Sequence, residues 1–381
     1  MPKLPPLPED PLVGEVLEFV EHSHLARRYR ELDARPEFPR AEFRAMGGAG
    51  LLGLRTSRDL GGRGLSLPRT GVLLFHLARA AGTTFAKLAL QPEFCSVLAD
   101  QGSPDLVDAW FRPLLRGDRL VGNQITEPTA GSDASALEMR ASRAGNHYVL
   151  DGEETEAAFA EDADAAIVYA RVAGPDARRE ITAFLVPQDL PGITRSRNSG
   201  DLGERWMGRG SVRYRGVELP VGSRIGEEGR GLEYVRPELT RERALLATIY
   251  LGVAWASWEE TVGYVAERPA FHRTLSDHQA VAFPLVQDGA RLQAAWLYAE
   301  RVLTDLERGK ADDAGAALSK WMATEVALET LDHAIQFHGG RGYSRDLPHE
   351  QRYRDVRSGK IAHGPSEIML AVGARELWKK S

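Results

Sequence analysis

A chain of 381 residues that is 43% hydrophobic and 27% charged has the balance of a globular protein long enough for two or three domains. Its formal net charge of −6 gives no basic footprint for nucleic acid, and no stretch stays apolar for the length of a membrane span, so neither partner is expected. The proline-rich start, Met1 to Asp10, lacks the basic flank and apolar core of a secretory signal, which predicts a cytoplasmic protein.

Residues 1–119 read as an all-α domain, with helical segments such as Leu12 to Leu32 and Arg40 to Leu52 separated by proline and glycine. Within it, Gly48-Ala49-Gly50-Leu51-Leu52-Gly53 matches the spacing of a dinucleotide-binding glycine turn. A helical pattern precedes it where a strand is required, so the segment is expected to be a helix stop. Cys95, the single cysteine, excludes an internal disulfide and a multi-cysteine metal site; a small buried hydrophobe is the expected role, and no metal is expected.

The character changes over residues 120–228, which read as a β domain. Tyr148 to Leu150 runs into an Asp151-Gly152 turn signal, Ala165 to Val172 and Ile181 to Val186 are short apolar runs, and Val212, Tyr214 and Val217 alternate with arginines. Beyond Gly229 and Gly231 the helical period returns, and residues 229–381 read as a helix bundle. Leu292, Ala295, Trp296, Ala299, Val302, Leu303 and Leu306 form one apolar face, and Leu318, Trp321, Met322, Leu328, Leu331 and Ile335 another. Leu245 to Trp255 is apolar almost all round, which predicts a buried helix.

Where the helical region hands over to the β region lies Asn123-Gln124-Ile125-Thr126-Glu127-Pro128-Thr129-Ala130-Gly131-Ser132-Asp133. Free backbone N–H groups and the Thr126 and Ser132 hydroxyls could meet a flat polar heterocycle; by itself the segment reads equally as a polar interdomain turn. This segment resembles the Thr-Glu-Pro-x-Ala-Gly-Ser-Asp motif of the acyl-CoA dehydrogenase family. Further similarities follow in family order: Asp151-Gly152, Phe184 to Pro187, Ile225 to Gly231, then Arg268, Phe271 and Gln279, and Gln336-Phe337-His338-Gly339-Gly340-Arg341-Gly342-Tyr343.

The resemblance implies a mainly α protein with a central β domain: an N-terminal helical domain, a β-barrel and a C-terminal four-helix bundle. It also implies FAD between the domains and across a subunit boundary of a homodimer or homotetramer. By carry-over, Asn123, Gln124, Ile125, Thr126, Ser132 and Ala158 would line the isoalloxazine. Arg268, with Phe271 and Gln279 beside it, would meet the pyrophosphate of a neighbouring subunit's FAD, and Gln336, Gly339 and Gly340 its adenylate portion. Ser132, Arg243 and Gly364 would contact substrate, an acyl thioester of CoA or of an acyl carrier, with electron-transfer flavoprotein or oxygen as acceptor.

The sequence departs from the family at its active centre. Glu156-Ala157-Ala158-Phe159 stands where the family has Trp-Ile-Thr-Asn, removing an aromatic cover and a hydroxyl from the flavin's surroundings. Ala270, His272 and Pro365 replace a frequent Thr, Gly and Thr. Ala362-His363-Gly364-Pro365-Ser366 replaces the stretch that carries the glutamate base in many members. Leu239-Thr240-Arg241-Glu242-Arg243 resembles the alternative placement found in isovaleryl-like and long-chain-like members, which makes Glu242 the candidate base. Glu242 can also be read as a solvated acid at a helix start, and His363 as a polar filler or a second proton-transfer group. Three functions follow: α,β-dehydrogenation of an acyl thioester, oxygen-dependent chemistry on the same fold, or a non-catalytic subunit that pairs with an active homologue.

Overall fold

The computed structural model describes residues 7–172, 181–310 and 312–378. Val13–His22 (α1) and Leu25–Ala34 (α2) both pack on Leu67–Leu90 (α4), with Arg40–Gly48 (α3) between them in sequence. The single helix expected over Leu12 to Leu32 is therefore two. Buried positions step by five from Val20 to Leu25, a spacing that would carry a continuous helix off its apolar stripe, and the chain breaks at His24, with φ 52°. α3 ends at Gly48, so the glycine cluster is a helix stop, as expected. α4 kinks at Gly82 (φ 76°), where a Cβ would lie 2.6 Å from the Tyr29 ring. Ser96–Gln101 (α5), Pro104–Leu106 (α6) and Arg112–Leu115 (α7) complete the first region.

The central region is one sheet of Val121–Gln124 (β1), Arg140–Ala144 (β2), His147–Ala157 (β3), Ala165–Val172 (β4), Ile181–Pro187 (β5), Ile193–Arg197 (β6), Gly210–Pro220 (β7) and Arg224–Ile225 (β8). Its order is β6-β7-β3-β2-β4-β5-β8, with β1 parallel to β4. The barrel implied by the resemblance is an open sheet: among the described residues no pairing joins edge strand β6 to β8, and β8 is two residues long. Asp151-Gly152 is likewise not a turn. It sits inside β3 at a register shift against β7, where the Gly216 N–H donates to Asp151 Oδ1 at 2.8 Å, and a Cβ on Gly152 would lie 2.5 Å from Met139 Sδ. The hairpin loop is Gly145-Asn146, between β2 and β3.

Gly231–Glu267 (α8) is the axis of the last region, buried almost all round from Ala244 to Trp258 and packed by α4, Gln279–Glu307 (α9) and Asp313–Phe337 (α10). His349–Arg357 (α11) and Ser366–Leu377 (α12) pack on α10. Between α8 and α9 the short strands Pro269–Ala270 (β9) and Arg273–Thr274 (β10) form a hairpin. The regions share a joint at Asp355 of α11. Its buried carboxylate accepts from Tyr29 Oη at 2.7 Å, Thr83 Oγ1 at 3.1 Å and the Glu204 N–H at 2.6 Å, while Glu204 pairs with buried Lys87. Burial, then the charge of Glu204, pushes Asp355 up to about 7.

Candidate active site

Near the start of α8, Glu238 and Glu242 lie one turn apart on the same face, and both are buried. Glu238 accepts from the Val97 N–H at 2.9 Å, Ser96 Oγ at 3.2 Å and Asn123 Nδ2 at 3.0 Å, so it caps the first turn of α5 from outside and ties that helix to β1. Burial, then the neighbouring Glu242, pushes the Glu238 carboxyl well above the usual range. Glu238 is not among the residues that the sequence singles out; its signal is a second acid four residues before Glu242, ahead of an apolar helix.

Glu242 Oε2 lies 3.1 Å from His363 Nδ1, and Glu242 Oε1 has no hydrogen-bond partner. His363 lies between α11 and α12 in the left-handed region (φ 54°), and its ring stacks on Phe94 at 4.9 Å. Two basic side chains secure its backbone: Arg243 Nε donates to the His363 carbonyl at 3.1 Å, and Lys320 Nζ donates to the Ala362 and Gly364 carbonyls, both at 2.6 Å. Burial, with Arg243 and Lys87 nearby, pushes the Lys320 amine down to about 7. Cys95 beside Phe94 is buried with its thiol against the Val121 carbonyl; burial and the two glutamates raise its pKa well above normal, so it stays protonated.

The segment after β1 divides by side chain. Asn123 is committed to the Phe94 carbonyl and Glu238, and Gln124 points into the sheet, accepting from Tyr214 Oη at 2.5 Å. Ile125, Thr126 and Ala158 are half-buried and Ser132 is exposed. Glu156, where the family's Trp would stand, has φ 53° and pairs with Arg209 at 3.1 Å, while Phe159 turns inward against Phe38 and Trp206.

The remaining carry-over residues gather at the far end of the bundle. Arg268 follows α8, Phe271 forms the β9–β10 turn and Gln279 starts α9, while Gln336, Gly339 and Gly340 close α10; all are exposed. Tyr264 of α8 stacks on His338 at 4.3 Å and joins the two helix ends. Arg268 pairs with no carboxylate among the described residues, and a Cβ on Gly339 or Gly340 would meet no atom within 4 Å. An unpaired guanidinium and open glycine backbone are groups that suit the phosphates and adenylate of FAD. Among the described residues no three His, Cys, Asp or Glu could hold a metal ion, and no helix is long and apolar enough to cross a membrane.

Mostly helical, with a central sheet, a carboxylate in the bundle and a flavin-compatible surface, the fold defines a flavoenzyme-like class. Family models for the acyl-CoA dehydrogenase N-terminal, middle and C-terminal domains match residues 9–118, 122–217 and 229–378. The chain is 33% identical to benzylmalonyl-CoA dehydrogenase of Aromatoleum aromaticum, covering 93% of each chain. It is 27% identical to the CarC subunit of the caffeyl-CoA reductase-Etf complex of Acetobacterium woodii, covering 95% of this chain and 96% of that one. An acyl-CoA dehydrogenase structure from Geobacillus kaustophilus superposes with a TM-score of 0.91 at 26% identity, over 96% of this chain and 97% of that one. The chain belongs to the acyl-CoA dehydrogenase family, whose members are FAD-dependent oxidoreductases acting on acyl-CoA thioesters.

Proposed function

We propose that this chain oxidises an acyl-CoA at the α,β bond with Glu242 as the base. The observation that carries this reading is the Glu242 carboxylate: buried, held at Oε2 by His363, and unpartnered at Oε1. A carboxylate so placed has one oxygen oriented by a neighbour and the other available to take the α-proton. FAD, when bound, supplies the hydride acceptor. Arg243 and Lys320 keep the His363 loop in place, and Arg243, Ser132 and the Gly364 backbone are the proposed substrate contacts.

The separation of the two flavin-compatible surfaces supports a homodimer or homotetramer with a shared FAD site. Asn123 touches Glu238 and Arg268 follows the same helix 30 residues later, roughly 45 Å along the axis at 1.5 Å per residue, beyond the reach of one dinucleotide. Isoalloxazine contacts from one copy, at Ile125, Thr126, Ser132 and Ala158, would then combine with Arg268, Phe271, Gln279, Gln336, Gly339 and Gly340 of another. Electron-transfer flavoprotein is the proposed acceptor, supported by the Etf-complex relative. Oxygen is the second reading, favoured by the Glu156–Arg209 ion pair that replaces the family's aromatic cover. A single free, buried cysteine agrees with a cytoplasmic setting.

The test is the visible spectrum of the purified protein with FAD, before and after anaerobic addition of short-chain acyl-CoA. Bleaching is expected. A flavin left oxidised by every thioester offered overturns the reading, and peroxide release on reoxidation in air favours oxygen as acceptor.

A further inference from the structure

Helix α9 is apolar on two opposite faces. Leu285, Leu292, Ala295, Trp296 and Ala299 turn into the bundle and form its inner stripe. On the other side Phe283, Val286, Ala290, Ala294 and Leu297 are exposed, with Phe283, Val286 and Leu297 at 56%, 70% and 54%. At about 100° per residue these five fall within about 40° of one line, over roughly 21 Å of helix at 1.5 Å per residue. The solvent side of a surface helix is ordinarily polar, and a continuous apolar stripe there marks a contact surface.

The spacing of the stripe is symmetric about Ala290: its other members stand 7 and 4 residues before that position and 4 and 7 after it. A two-fold axis at Ala290 lays a second α9 antiparallel on the first, with the small alanine at the crossing. Phe283 then meets the partner's Leu297, and Val286 the partner's Ala294, which is the self-complementarity a two-fold interface requires. We propose that this outer face of α9 is where two copies of the chain join.

The same pairing serves the cofactor. Trp258 Nε1 of α8 donates to the Leu285 carbonyl at 2.8 Å, while a Cβ on Gly71 would lie 2.6 Å from Leu303 and 3.2 Å from Thr248, so α9 runs antiparallel to α8. The Leu297 end of α9 therefore lies toward Glu242, and the Gln279 end toward Arg268. Antiparallel α9 helices carry the partner's Gln279, with the partner's Arg268 and the partner's Phe271, toward the end where Asn123 touches Glu238. The choice of a second copy as occupant rests in this respect on the reading of FAD as shared between copies.

Sedimentation equilibrium of the FAD-loaded parent and of Ala290→Arg, in which two like charges meet at the axis, reads the mass. The parent should be a dimer or larger, and the variant should fall to half the parental mass. Ala290→Cys gives an independent reading, because Cys95 is buried and the new thiol faces its own copy across the axis. On mild oxidation it should cross-link most chains in pairs, against few for Glu18→Cys on the exposed side of α1. A monomeric parent, an unchanged mass in Ala290→Arg, or cross-linking no greater than in Glu18→Cys overturns the inference. FAD retention in Ala290→Arg scores the shared site separately. A half-mass variant that loses FAD supports both, and one that keeps FAD at the parental affinity leaves the α9 interface standing and removes the shared site.

Discussion

His363 and Glu242 are separated by 121 residues in sequence and by 3.1 Å in the fold, Nδ1 to Oε2, leaving the second carboxylate oxygen unpartnered. If Oε1 takes the α-proton, Glu242→Gln should retain FAD and ligand but lose flavin reduction by at least about a hundredfold, the low end of a general base's contribution. His363→Ala, which loosens the carboxylate without removing it, should have the smaller effect. Single-turnover reduction rates separate the two; parental rates in Glu242→Gln would remove the assignment.

Arg268 pairs with no acid among the described residues and follows α8 four residues after Tyr264, which stacks on His338 next to Gly339. Replacing it with Ala should weaken FAD retention by about ten- to a hundredfold, the equivalent of one charge-assisted hydrogen bond of about 1.5–3 kcal/mol. Equilibrium dialysis against FAD measures this, and an unchanged Kd contradicts the shared cofactor site.

The helical period and the glycine punctuation made much of this fold legible. β4 starts at Ala165 and takes in the run to Val172, α8 begins at Gly231, and Leu245 to Trp255 is buried all round as its composition requires. The errors have local causes. Asp151-Gly152 looks like a turn, but a glycine is equally suited to the bulge by which an 11-residue strand passes Met139. The break at His24 shows in sequence as a five-residue step between apolar positions. At the site, the flanking patterns point to Glu242 and His363, and the fold brings the two within 3.1 Å of each other. Glu238 was not legible, because its partners, Ser96, Val97 and Asn123, are brought to it by packing among three regions.

The β9–β10 hairpin offers a test of backbone strain. Phe271 (φ 53°) and His272 (φ 64°) form a two-residue turn in which both residues are left-handed, a conformation glycine adopts readily and histidine does not. His272→Gly should relieve about 1–2 kcal/mol of that strain, less about 0.4–1 kcal/mol for the added freedom of glycine in the unfolded chain. A net gain near 0.5–1 kcal/mol in urea unfolding is expected. A less stable variant would mean that the imidazole contributes more than its backbone costs.

Lys320 supplies a pH dependence whose sign is fixed by its surroundings. Burial pushes its pKa in the fold down from 10.5 to about 7, and a neutral amine has two hydrogens for the two carbonyls, of Ala362 and Gly364, that it meets. Between pH 7 and 10.5 the unfolded chain therefore holds a proton that the folded chain has released, so unfolding takes up a proton and stability rises with pH. Asp355, raised to about 7, acts in the opposite sense but below this window, where the fold keeps a proton the unfolded chain has lost. The Cys95 thiol, kept protonated by burial, opposes Lys320 toward alkaline pH, which makes the difference between parent and Lys320→Met the quantity to measure. Met removes two hydrogen bonds at every pH, a constant offset. Beyond that offset, the parent should gain on the variant between pH 7 and 9.5, by up to about 3 kcal/mol for a group titrating near 7. Denaturant unfolding of both proteins at the two pH values gives the result. A parent-to-variant difference that does not change with pH would mean that Lys320 remains charged in the fold and holds the His363 loop as an ammonium.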